Sequence, residues 1–203
     1  SLLLAASAAV ALCAPLAVAP AQAQTVTPPP ASAWAREAAM DSVVLSPDGR
    51  HMAAIVSPDG RRRAIAVWDT SNLSAEPFLI GSDERTEFLS LQFVKNDRIF
   101  VTTQQLSNYN PFSGSSEQTY RYRTQLIDLR GEPIRAPQWD GLDDRQLAYV
   151  GFGDLISSLS NHPTDILVSD PMRGDVYRYN TQNGSMSRVE RGSDEYGQLQ
   201  ADL

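Results

Sequence analysis

Ser46-Pro47-Asp48-Gly49-Arg50 leads into His51-Met52-Ala53-Ala54-Ile55-Val56, which runs straight into Ser57-Pro58-Asp59-Gly60. Proline at the second position of each turn presets φ, and the closing glycine takes the left-handed conformation that finishes a hairpin. An apolar six-residue run between two such turns is a strand with an antiparallel neighbour on either side. Those neighbours are Ser42-Val43-Val44-Leu45 before it and Ala64-Ile65-Ala66-Val67-Trp68 after it. The second ends at Asp69-Thr70-Ser71-Asn72, and Phe78-Leu79-Ile80 follows, ending at Gly81. Four strands joined by successive hairpins make a meander. The two middle strands are apolar on both faces, which suits a sheet sandwiched between other sheets.

The order then recurs. Phe88 to Val94 and Arg98 to Thr103 are strands around the turn Lys95-Asn96-Asp97. A polar loop from Gln104 to Gln118 comes next, then a strand from Tyr120 to Asp128, a turn at Leu129-Arg130-Gly131 and a short strand near Ile134. A third pass has strands at Asp154 to Leu159, Ile166 to Ser169, Asp175 to Tyr179 and Ser185 to Glu190. The third strand of each pass ends at Asp69, Asp128 and Asn180, roughly 50–60 residues apart, and loop insertions lengthen the usual ~40–50-residue blade repeat to that spacing. The fold expected is all-β, a partial β-propeller of about three four-stranded antiparallel blades near 41–81, 86–138 and 145–190. A sandwich would need long Greek-key returns that the turn spacing does not provide. Three blades do not close a ring, so 41–203 reads as an incomplete propeller, with Arg191 to Leu203 as the start of a fourth blade.

The 203 residues carry a net charge of −7, and 42% are hydrophobic. That balance suits a globular core and argues against nucleic acid as a partner, since phosphate binding needs a clustered basic surface. The one basic run, Arg61-Arg62-Arg63, follows a turn and reads as a solvated strand end. Residues 1–23 read as an export leader. No charge precedes Arg36, Leu2 to Val18 is almost wholly apolar, and Ala21-Gln22-Ala23 is a small-x-small site that predicts cleavage between Ala23 and Gln24. The positive n-region and initiator methionine are expected upstream of Ser1. A retained membrane anchor is the alternative, disfavoured by Pro15 and Pro20. Cys13 is the single cysteine and leaves with the leader, so no disulfide is expected in the mature chain. Residues 24–40 form a linker, with a short helix expected over Trp34 to Met40. The mature protein is expected to be periplasmic or secreted, with no membrane association after cleavage.

Ser46-Pro47-Asp48-Gly49-Arg50 with Met52-Ala53-Ala54-Ile55 resembles the turn-plus-strand signature of Tol-type periplasmic propellers and of the N-terminal propellers of the prolyl oligopeptidase family of serine peptidases. Ala66-Val67-Trp68-Asp69 and Phe93-Val94-Lys95-Asn96-Asp97-Arg98-Ile99-Phe100-Val101 tilt the likeness toward exported dipeptidyl or acylaminoacyl peptidases. It covers roughly Asp41 to Glu190. It implies a propeller truncated before a C-terminal α/β-hydrolase domain, in which a Ser-Asp-His triad cleaves small peptides while the propeller gates access. The Gly-x-Ser-x-Gly elbow such a nucleophile needs is not present here. Gly114-Ser115-Ser116-Glu117-Gln118 lacks the closing glycine. The rival readings are a non-enzymatic Tol-type propeller that binds proteins and a metal-dependent propeller enzyme such as a lactonase.

No catalytic residue, metal ligand or cofactor is assigned within this stretch. His51 opens a strand right after a hairpin turn and His162 precedes Pro163 in another turn, at equivalent places in different blades, and both read as structural. Asp48, Asp59 and Asp165 recur at turns, where a short carboxylate caps backbone N–H groups. Asp140-Gly141-Leu142-Asp143-Asp144 reads as an acidic loop whose spacing fails the calcium pattern. The candidate contact site is the long loop carrying Tyr109 and Phe112, expected to meet peptide substrate or the hydrolase domain. In Tyr120-Arg121-Tyr122-Arg123 strict alternation puts tyrosines and arginines on opposite faces. The tyrosines are expected to pack between blades.

Overall fold

The computed structural model describes residues 38–192. The leader, the Ala23/Gln24 cleavage site, most of the 24–40 linker and the start of a fourth blade lie outside the described residues. Of the helix expected over Trp34 to Met40, only the end is described, and there Met40 already begins a strand.

The first sheet is a meander of β1 (Met40–Leu45), β2 (His51–Val56), β3 (Ala64–Asp69) and β4 (Phe78–Gly81), in that spatial order. Its first turn is built as the motif demands. Asp48 accepts from Ser46 Oγ at 2.6 Å and from Arg50 N at 3.1 Å, and Gly49 sits at φ 69°. Those two hydrogen bonds hold the Asp48 carboxyl below the usual carboxylate range, the serine hydroxyl contributing most. Asp59 repeats the device on Arg61 N and Arg62 N.

The second sheet is β5 (Thr86–Lys95), β6 (Arg98–Ser107) and β7 (Thr119–Asp128). The third is β8 (Asp154–Ser157), β9 (Asp165–Ser169), β10 (Val176–Asn180) and β11 (Met186–Glu190), again in chain order. The expected fourth strand of the second sheet is reduced to a single bridge between Ile127 and Pro133. Pro133 has no N–H to continue a ladder, and Pro137 stops a second attempt. The chain turns instead into a helix that the acidic-loop reading did not anticipate, α1 (Asp144–Val150). Asp143 caps it by accepting from Arg145 N and Gln146 N, while the Gln146 side chain accepts from Asp143 N. After α1 the backbone returns along β7, where Phe152 N donates to Thr124 O at 3.1 Å and Thr124 Oγ1 donates to Gly153 O at 2.7 Å. The free edge of β7 is thereby covered around Thr124. A Cβ on Gly151 would lie 2.2 Å from Thr124 O, so this close approach requires glycine.

The three sheets stand in series as blades of a partial propeller, with the middle one covered on both faces. Ile99, Val101 and Ile127 pack with Ala53, Ile55, Ile65 and Val67 of the first sheet. The alternate residues Phe100 and Leu126 pack with Ile166, Val168, Tyr177 and Tyr179 of the third. Period-two alternation sends neighbouring residues to different seams. A register shift between Phe88 and Ser90 brings Phe88 and Leu91, three positions apart, into the same seam.

Candidate functional site

The β6–β7 hairpin is longer than expected, because β6 continues through Gln104 to Ser107 and pairs to Thr119. Its loop is held by its own polar groups. Asn110 Oδ1 accepts from Phe112 N at 2.9 Å, Gly114 N donates to Asn110 O at 2.9 Å, and Ser107 Oγ donates to Tyr109 O at 2.8 Å. The ring of Phe112 meets Tyr149 of α1 edge-on, centroids 5.9 Å apart. The Arg121 guanidinium lies 5.0 Å from the same Tyr149 centroid, and its Nε donates to Gln105 Oε1 at 3.0 Å. Phe112, Tyr149, Arg121 and Gln105 thus form one cluster, while Tyr109 stays largely exposed beside it. An aromatic edge and a stacked guanidinium suit planar or aromatic partners.

The alternation in β7 is real, but its faces are assigned the other way round. Tyr120 and Tyr122 are 63% and 66% exposed, whereas Arg121 and Arg123 are partly buried. The arginines share a face with Gln105 and Thr103 across the ladder, on the side turned to the first sheet. Burial, with a smaller contribution from Arg121, works against the positive charge of Arg123.

The basic run is also not uniformly solvated. Arg62 is exposed and pairs with Glu84 at 3.3 Å. Arg63 reaches inward to the carbonyl of Phe88 at 2.9 Å, to Asp41 at 3.1 Å and toward Glu87 at 3.8 Å, tying β1 to β5. Asp165 does not cap backbone as Asp48 and Asp59 do. It accepts from Thr164 Oγ1 and Asn180 Nδ2 and stands 3.9 Å from Arg178.

His51 opens β2, and His162 contributes its backbone carbonyl to a buried cation. Lys95 Nζ donates to the carbonyls of Ser158, Leu159 and His162 at 2.6, 3.1 and 2.5 Å. Burial lowers the Lys95 pKa, and Asp165 partly offsets that. Among the described residues no three His, Cys, Asp or Glu side chains gather as a metal site would require.

No protein-family model and no curated protein matches the chain. Among solved structures it is similar to the Pyrococcus horikoshii acylaminoacyl peptidase in an orthorhombic crystal form. The identity is 17% over 77% of this chain and 26% of that one, with a TM-score of 0.47. An acylaminoacyl peptidase in complex with Z-Gly-Gly-Phe-chloromethyl ketone aligns at 16% identity, over 77% of this chain and 26% of that one, with a TM-score of 0.45. The chain spans 26% of the length of either structure.

Proposed function

We propose that this chain is the N-terminal propeller segment of an exported serine peptidase, resting against an α/β-hydrolase domain that cleaves small peptides. The observation that carries the reading is the serial stacking of three antiparallel meanders, the first closed by two Ser-Pro-Asp-Gly turns and the middle one covered on both faces. It joins the prolyl oligopeptidase-like motifs of the sequence to the architecture those motifs imply. In this reading the chemistry is acyl transfer by a serine activated by histidine, carried by residues outside this stretch. The aromatic tip formed by Phe112 and Tyr149 contacts the hydrolase domain or the peptide entering between the two, and the propeller admits substrates by size.

The full-length protein from its source tests this. The reading expects a Gly-x-Ser-x-Gly elbow with later Asp and His encoded beyond Leu203, covalent labelling by a fluorophosphonate, and a mature N-terminus at Gln24 in the periplasmic or secreted fraction. Phe112→Ala is expected to change KM for small peptides more than kcat. Further blades followed by a stop codon, with no labelling, would replace the peptidase with a Tol-type protein-binding propeller.

A further inference from the structure

The seam between the first two sheets is not filled along its whole length. A cavity of about 270 Å³ opens where β4 ends and β5 begins. Ile80, Phe88 and Val101, which belong to the apolar cluster of that seam, line its inner part. Gln105, Arg123 and Gln125 contribute to its polar lining, together with Asp83, Thr86 and Thr103. The ladder explains this lining, since Val101 pairs with Gln125, Thr103 with Arg123 and Gln105 with Arg121. Cross-strand partners share a face, so the β6 row and the β7 row turn to the first sheet together.

Arg123 is the anomaly in that wall. Its Nε is fully buried and has no hydrogen-bond acceptor. No described carboxylate pairs with its guanidinium, whereas the adjacent Arg121 is engaged by Gln105 and Tyr149. Thr103 has already committed its hydroxyl to the Arg123 carbonyl at 3.1 Å. The Asp83 carboxylate, which also lines the cavity, is turned into its own loop, accepting from Arg85 N at 2.9 Å and from the Thr86 side chain. A guanidinium cannot neutralise itself at accessible pH, so a partly buried one whose buried Nε has no acceptor carries an uncompensated cost. Burial and the like charge of Arg121 both add to it.

We propose that this cavity is a binding site for a small organic monocarboxylate with an apolar body. The carboxylate is taken by the planar fork of Arg123, which presents parallel donors at the spacing of two carboxylate oxygens. Gln125 and the amide N–H₂ of Gln105 are the neutral donors beside it, the Gln105 oxygen being occupied by Arg121. Ile80, Phe88 and Val101 take the apolar body, which favours an aryl or branched alkyl acid over an inorganic anion. The volume suits a ligand of fragment size. The site stands whether or not a hydrolase domain follows, so its test is separate from that of the peptidase reading.

The experiment is calorimetric titration of the full-length protein at neutral pH with 3-phenylpropanoate, 3-phenylpropanamide and acetate. The phenylpropanoate is expected to bind at least about tenfold more tightly than the amide, which removes the charge, and than acetate, which removes the apolar body. Arg123→Met is expected to weaken phenylpropanoate by at least about tenfold, and Arg62→Met, outside the cavity, to leave it unchanged. Equal binding of acid and amide, or of phenylpropanoate and acetate, overturns the proposal. So does undiminished binding by Arg123→Met, or no saturable binding at all. If Arg123→Met does not fold, the comparison of acid with amide on the unaltered protein still decides.

Discussion

The two seams of the molecule are built from different materials. Between the first and second sheets the contact is mostly aliphatic, with Ala53, Ile55, Ile65 and Val67 against Ile99, Val101 and Ile127, and Arg63 clasps it from the side. Between the second and third sheets it is largely aromatic. Phe152 meets Phe100 edge-on at 6.1 Å and Tyr179 edge-on at 5.2 Å, while Trp139 meets Tyr177 at 5.6 Å. Trp139, Leu147 and Phe152 come from the segment that replaces the missing fourth strand. Strand alternation alone can supply an aliphatic seam, whereas a seam partly filled by an inserted segment needs large rings and polar ties to locate that segment. Trp139 Nε1 donates to Gly151 O at 3.0 Å, Tyr179 Oη donates to Arg135 O, and Lys95 is held by three carbonyls.

The largest expected effect tests that contrast directly. Phe152→Ala should cost about 3–5 kcal/mol by removing a ring from the centre of the aromatic seam, against about 1 kcal/mol for Ile65→Val in the aliphatic one. Urea midpoints at constant m-value measure both. Equal losses would mean that the inserted segment is not what organises the second seam.

Next comes Lys95→Met, which leaves the carbonyls of Ser158, Leu159 and His162 without their donor in a site where the lysine is 7% exposed. The expected cost is about 2–3 kcal/mol. Hydrogen exchange should accelerate locally between β8 and β9, and an unchanged exchange pattern would remove the lysine from the list of ties.

Tyr179 sharpens the same seam through pH. Burial raises its pKa above the ordinary value of 10.0. The folded state therefore holds the proton more tightly than the unfolded chain, and this stabilisation is complete below pH 10 and lost as the pH rises beyond it. The melting temperature should fall above pH 10, and Tyr179→Phe should flatten that fall while costing about 1 kcal/mol at neutral pH for the hydrogen bond to Arg135 O. An identical alkaline limb in the variant contradicts the assignment.

The smallest effect is expected at the aliphatic seam. Arg63→Met should cost about 1 kcal/mol, because its ion pairs to Asp41 and Glu87 lie at a half-open edge. Part of the difference should vanish in high salt, leaving the share due to the bond to Phe88 O. A loss as large as that of Lys95→Met would erase the distinction between the seams.

What could be read from the sequence was whatever is local. Ser46 to Gly49 and Ser57 to Gly60 specify their own hairpins, since each turn satisfies itself within a few residues. The helix from Asp144 was legible in principle through Asp143 and Gln146, a capping box ahead of Leu147, but the acidic run concealed it. The strand expected near Ile134 failed because flanking prolines at 133 and 137 outweigh the apolar residue between them. For the candidate site, the length of the loop drew attention to Tyr109 and Phe112. Nothing near them announced Tyr149, and nothing announced that Arg123 would stand unpaired in a cavity.

By itself the sequence determined the strands, their hairpin order and the parity with which side chains alternate, because turn chemistry and pleat act over a handful of residues. The tertiary structure alone decided which parity faces inward. Tyr120 and Arg121 obey the same alternation whichever way the strand is turned, and the choice belongs to the neighbouring sheet. A pleated strand has two geometrically equivalent faces, so only what packs against it, contributed from far along the chain, can make them different.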